Sequence, residues 1–122
     1  MREKAGQLRV GGVAVIAYFE GSELRSWTSK MLVVDRYKDA PSASGAGANL
    51  LGIAYAKAAE MADTLKDSGH AGRPVLTGEF GWQGGVVRAW NGGYLIAAFS
   101  GGKSEDDVEV SKAGILAMTA VH

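Results

Sequence analysis

The chemistry open to this chain is narrow: it has two histidines, no cysteine and a few aromatic residues in glycine-rich surroundings. The lack of cysteine removes thiolate catalysis and Cys-ligated zinc or iron–sulfur sites. His70 stands in Ser68-Gly69-His70-Ala71-Gly72, beyond a helical stretch. An imidazole there can ligate haem iron or act as an acid or base near neutral pH. With no carboxylate or second ligand beside it, its ordinary role is that of a solvated residue past a helix end. His122 is the last residue of the sequence. Phe80 and Trp82 lie in Gly78-Glu79-Phe80-Gly81-Trp82-Gln83, whose glycines favour an exposed loop. Among Tyr18, Trp27, Tyr37, Tyr55, Phe80, Trp82 and Trp90 they are the least core-like, and so the best suited to a flat ligand or a subunit contact. His70, Phe80 and Trp82 are therefore the candidate cofactor-binding residues.

Other constellations read as structure. Gly101-Gly102-Lys103-Ser104 opens a helix and can offer backbone N–H groups to an anion. Its spacing is not that of a P-loop, and Glu105, Asp106 and Asp107 repel phosphate, so a helix cap is the better reading. Glu105, Asp106, Asp107 and Glu109 fit a solvated helix start better than a metal site, because neighbours on a helix diverge and no EF-hand spacing is present. No dinucleotide fingerprint occurs. With no nucleophile–base pair or metal cluster in view, catalysis ranks behind binding.

The elements that must position these residues are legible in outline. A chain of 122 residues has the size of one domain, taken as 1–122. Its 13 basic and 13 acidic side chains cancel, which argues against partners held by phosphate neutralisation, nucleic acid and anionic membrane alike. No run approaches membrane-spanning length, the first residues lack an apolar signal core, and the absence of disulfides fits a cytoplasmic protein. Eight of the 18 glycines fall in pairs at 11–12, 84–85, 92–93 and 101–102, beside apolar runs, as strand punctuation.

Residues 1–9 read as a polar lead-in. Val13–Phe19 is a buried strand, paired in a hairpin with Leu24–Lys30; extended chain continues to Tyr37. Lys38–Asn49 is a loop. Leu50–Lys66 is a helix with Leu51, Ala54, Tyr55, Ala58, Ala62 and Leu65 inward and Lys57, Glu60, Asp63 and Lys66 largely outward. Arg73–Thr77 suits a short edge strand. Asn91-Gly92 joins Val86–Trp90 to Tyr94–Phe99 in a tight hairpin. Ser104 then caps a last helix, with Asp107 reaching back to it and Val110, Ala113, Gly114, Ala117 and Met118 available for packing inward.

Ser100-Gly101-Gly102-x-x-x-x-Asp107-x-x-Val110-x-x-Ala113-Gly114, after a strand-turn-strand, resembles the C-terminal signature of the GlcG/HbpS-like haem-binding family. Relatives of that family form the C-terminal domain of PduO-type cobalamin adenosyltransferases. Ile53-Ala54-x-x-Lys57-Ala58 is similar to the family's helix after its first strands, and Arg36-Tyr37-Lys38-Asp39-Ala40-Pro41 to one of its loops. The resemblance implies a profilin-like α/β/α sandwich of α+β class, with a central antiparallel sheet and flanking helices. It also implies an assembled protein, at least a dimer, that binds haem or another planar cofactor. The family's long first helix has no counterpart in the polar lead-in, which leaves sheet surface for a partner copy. The alternative is a non-enzymatic interaction or scaffolding module of the same fold.

Overall fold

A computed structural model describes residues 1–120; His122 lies outside the described residues. Four antiparallel strands form the central sheet: β1 (Gly12–Glu20), β2 (Thr28–Val34), β5 (Gly85–Trp90) and β6 (Gly93–Ser100), in the order β2-β1-β6-β5. Helix α2 (Leu50–Thr64) covers one face, and α1 (Arg2–Leu8) with α3 (Ser104–Ala120) covers the other. A short ladder of β3 (Lys38–Asp39) with β4 (Ala48–Asn49) precedes α2. The α+β sandwich expected from the sequence is the architecture found.

Alternation along the strands creates the two faces. Val13, Val15, Ala17 and Phe19 of β1 join Ile96 and Ala98 of β6 beneath Ala54, Ala58 and Met61 of α2. The intervening residues Ala14, Phe99 and Leu95 turn the other way, toward Ala5, Val110 and Ile115. β1 and β6 are covered on both faces, which is why they read as nearly unbroken apolar runs. β2 lies at an edge and exposes Met31 and Val33.

Four local expectations need correction. Residues 2–8 are not a lead-in but a helix, with Ala5 fully buried and Arg9 closing it at φ 58°. One buried alanine among charged neighbours gives little periodicity to detect, yet this helix covers part of the sheet surface that the lead-in reading left bare. The strand after β1 starts at Thr28, so Leu24 and Arg25 belong to an exposed connection. Arg73–Thr77 forms no strand; Arg73 is taken up by side-chain pairing instead. On α3, Ala117 and Met118 stay exposed, lining a hollow they share with Ile16, Met31 and Leu32.

The hairpin between β5 and β6 is as expected. Trp90 pairs with Gly93 across Asn91 (φ 51°) and Gly92 (φ 79°), so both turn residues take the positive φ of a type I′ turn. Nothing lies within 4 Å of a Cβ added at Gly92, so a side chain there meets backbone strain alone. Gly92→Val should cost about 1–2 kcal/mol in urea unfolding; an unchanged midpoint would show that the turn tolerates a β-branched residue.

Glycines act differently where β6 hands over to α3. A Cβ at Gly12 would overlap the Ser100 carbonyl oxygen, and one at Gly101 the Gly11 carbonyl oxygen. The pairs 11–12 and 101–102 thus cross at backbone contact, and this crossing sets where α3 begins.

Candidate functional site

At that crossing lies a cleft of about 250 Å³. Leu50, Ile53 and Lys57 descend one face of α2 into it, Ser100–Gly102 and Asp107 form the opposite wall, and Trp82 and Gln83 lie at its margin. Its floor is an ion pair. Lys57 Nζ donates to Asp107 Oδ2 at 3.1 Å and to the Phe99 carbonyl at 2.8 Å. Asp107 Oδ1 accepts from the Gly102 N–H at 2.9 Å. The two residues are only 5% and 3% exposed. Burial pushes the Lys57 ammonium below the ordinary lysine range, against the opposing pull of Asp107. Burial likewise pushes the Asp107 carboxyl above the ordinary aspartate range, against Lys57 and the Gly102 N–H. Desolvation therefore outweighs mutual attraction for both groups, which makes the pair a poor source of net stability. A desolvated, charge-paired lysine lining a cleft is instead a feature expected of a functional site.

Sequence reasoning placed both residues on solvated faces, and the structure overturns that. Lys57 follows Leu50 by seven positions and Ile53 by four, so it shares their face; Glu60 follows it onto the buried side, where its Oε2 accepts from the Gly69 N–H at 2.9 Å. The helical spacing was visible, but the apolar series chosen was offset around the helix from the buried one. Asp107 was hidden among acids. It does reach back from the helix, as expected, but to Gly102 rather than to Ser104. The Gly102 N–H, one of those the sequence offers to an anion, is already held by Asp107. Glu105 and Glu109 are exposed as expected.

An adjoining hollow of about 400 Å³ shares Ala48, Ile53 and Trp82 with the cleft and adds Gly52, Ala56 and Phe80. Phe80 and Trp82 are 47% and 52% exposed, with ring centroids 4.7 Å apart and planes inclined at 32°. A clamp fixes the loop that carries them. Arg73 pairs with both carboxylate oxygens of Glu79, at 2.9 and 3.0 Å, and with Asp63 of α2 at 2.7 Å. Glu79 also accepts from the Leu76 N–H at 3.0 Å.

The hydrogen bond from Arg73, followed by that from Leu76, holds the Glu79 carboxyl down at about 2, against an ordinary 4.5. A carboxylate depressed in the fold keeps its anchoring contribution above the ordinary value and loses it as pH falls through the folded one. The Leu76 amide shift, followed by NMR, should accordingly titrate with its midpoint at about 2. A midpoint at the ordinary glutamate value would show that the clamp does not hold in solution.

Phe80 and Trp82 are thus brought together, but His70 is not brought to them. It is exposed after α2, its backbone N–H bonded to the Asp67 carbonyl at 3.1 Å, and it lines neither hollow. The other aromatics disperse. Trp27 and Tyr55 pack on the α2-side core, Trp90 meets Tyr18 edge-on at 5.7 Å, and Tyr37 lies under Lys38. Among the described residues no group of His, Asp and Glu could hold a metal ion, and no helix is long and apolar enough to cross a membrane.

Comparison of the chain with protein-family models, curated proteins and solved structures finds no match. The functional reading rests on the site itself and on the motif resemblance.

Proposed function

We propose that the protein binds a planar ligand across the cleft between α2 and the start of α3 and its adjoining hollow, with Phe80 and Trp82 as the aromatic wall. The observation that carries this reading is the exposed, clamped aromatic pair, in which Phe80 borders the adjoining hollow and Trp82 borders both it and the cleft floored by the buried Lys57–Asp107 pair. Exposed aromatics lose apolar surface to water, and a ring stacked on them recovers it. Planar ligands exploit two rings held at a fixed inclination better than globular ones do. Haem is the first ligand to test, because Ser100-Gly101-Gly102 with Asp107, the motif of the GlcG/HbpS-like resemblance, forms one wall of this cleft. An oligomer, at least a dimer, is part of the proposal: the edge strand β2 carries exposed Met31 and Val33, and zero net charge offers no repulsion between copies.

Haemin titration followed by the Soret band tests the reading. Saturable binding at a fixed stoichiometry, weakened at least about tenfold by Trp82→Ala (the loss expected for about 1.4 kcal/mol of stacking), is the expected result. Non-saturating uptake, or an affinity indifferent to Phe80→Ala and Trp82→Ala together, contradicts it. His70→Ala in the same titration shows whether the iron takes that imidazole: a shifted Soret maximum assigns His70 as ligand, and an unchanged one removes it. Light scattering on the same samples should give a mass above the 12.7 kDa of one chain, and a concentration-independent 12.7 kDa contradicts the oligomer.

A further inference from the structure

Lys57 lines the cleft and buries its primary amine, whereas Lys30, Lys38, Lys66, Lys103 and Lys112 hold theirs in water. Its Nζ is held by the Phe99 carbonyl at 2.8 Å, with a carboxylate oxygen of Asp107 at 3.1 Å able to take its proton. A buried amine on a cleft-lining residue, beside a proton acceptor, has what carbonyl condensation requires. We propose that Lys57 forms a reversible iminium with a small neutral aldehyde bound in the cleft, Asp107 carrying the protons.

The class of carbonyl compound follows from the walls. Asp39 is paired with Arg36 and Asp107 with Lys57, and the lining residues offer no cation beyond Lys57 for the carboxylate of an oxo acid, whereas a neutral aldehyde needs none. The volume of about 250 Å³ admits a small molecule. The sequence of bond changes balances without an added reagent. Lys57 Nζ gives one proton to Asp107 Oδ2, and the freed lone pair forms a C–N bond to the carbonyl carbon while the C=O π pair moves to oxygen. A second proton passes from nitrogen to that oxygen, giving the carbinolamine. The Asp107 carboxylic acid then protonates the hydroxyl, the nitrogen lone pair expels water, and a C=N iminium remains against the restored carboxylate. One ammonium and one aldehyde give one iminium and one water. Burial favours the uncharged forms of both Lys57 and Asp107, which lowers the cost of the first proton transfer.

Reductive trapping of the full native chain at neutral pH tests this, with butanal as carbonyl and sodium cyanoborohydride as reductant. Modification at each lysine is followed in time by peptide mass spectrometry. Lys57 should be alkylated faster than each of the five exposed lysines named above, and the preference should vanish when the chain is unfolded in guanidinium before labelling. Alkylation of Lys57 at the same rate as the exposed lysines or slower overturns the inference, and so does a preference that survives unfolding. The inference rests on the cleft being a ligand site but not on its aromatic wall. Saturable haemin binding without preferential trapping overturns this inference alone, and preferential trapping without haemin binding overturns the planar-ligand reading alone.

Discussion

Lys57→Met should lower the unfolding free energy by about 3–5 kcal/mol, the cost of leaving a buried carboxylate without its counter-charge. In a domain whose whole stability is of the order of 5–15 kcal/mol, that is a drop in melting temperature on the order of 10–20 °C. The deficit comes from Asp107, which keeps the Gly102 N–H but loses the ammonium that offset its desolvation. The Phe99 carbonyl also loses its side-chain donor. Removing the charge from both partners should then recover most of the loss. In Lys57→Met/Asp107→Asn the asparagine Oδ1 can still accept from Gly102, and no ion remains to desolvate. A double variant as unstable as the sum of the two single variants would show that the residues do not act as a pair.

Gly101→Ala should cost roughly 2–5 kcal/mol, backbone strain and overpacking together. Gly101 sits at φ 148°, and its Cβ would overlap the Gly11 carbonyl oxygen. The overlapping atom is backbone, so relief requires β1 and β6 to part at their ends. That movement carries Gly102 away from Asp107 and opens the cleft floor. Gly45→Ala is the matching control, since nothing lies within 4 Å of the added Cβ and its φ is not in the positive range. Equal urea midpoints for the two variants would show that the crossing is looser than its geometry.

The fold was more legible in the sequence than the site, and the reason lies in how far each signal reaches along the chain. The Asn91-Gly92 turn and the runs of β1 and β6 are written in adjacent residues, where local sterics and alternation decide the outcome. Helix α1 escaped notice because its packed series, Met1, Ala5 and Leu8, spans only two turns among charged residues. Arg73–Thr77 suggested an edge strand, yet its arginine is spent on Glu79 and on Asp63, ten residues back. The cleft floor was hardest to find. Lys57 and Asp107 meet across fifty positions, and nothing near either one in sequence names the other. One clue was present: Lys57 falls on the helical face of Leu50 and Ile53, where a charge demands a partner. Phe80 and Trp82 read as exposed loop residues because of their flanking glycines, and they are exposed outside the helices and strands. Their alignment depends on the Arg73–Glu79 clamp, which no local pattern announces.

Paramagnetic broadening by haemin in the NMR spectrum of the uniformly labelled protein tests the central claim most directly, because it locates the ligand as well as detecting it. Bound in the cleft, the iron should erase first the Trp82 indole N–H and the amides of Gly52, Ile53, Gly101 and Gly102, while signals from the exposed edge of β2 and the far end of α3 persist. Broadening centred on β2 or α3, or spread evenly over exposed residues, would contradict the claim that this cleft is the ligand site.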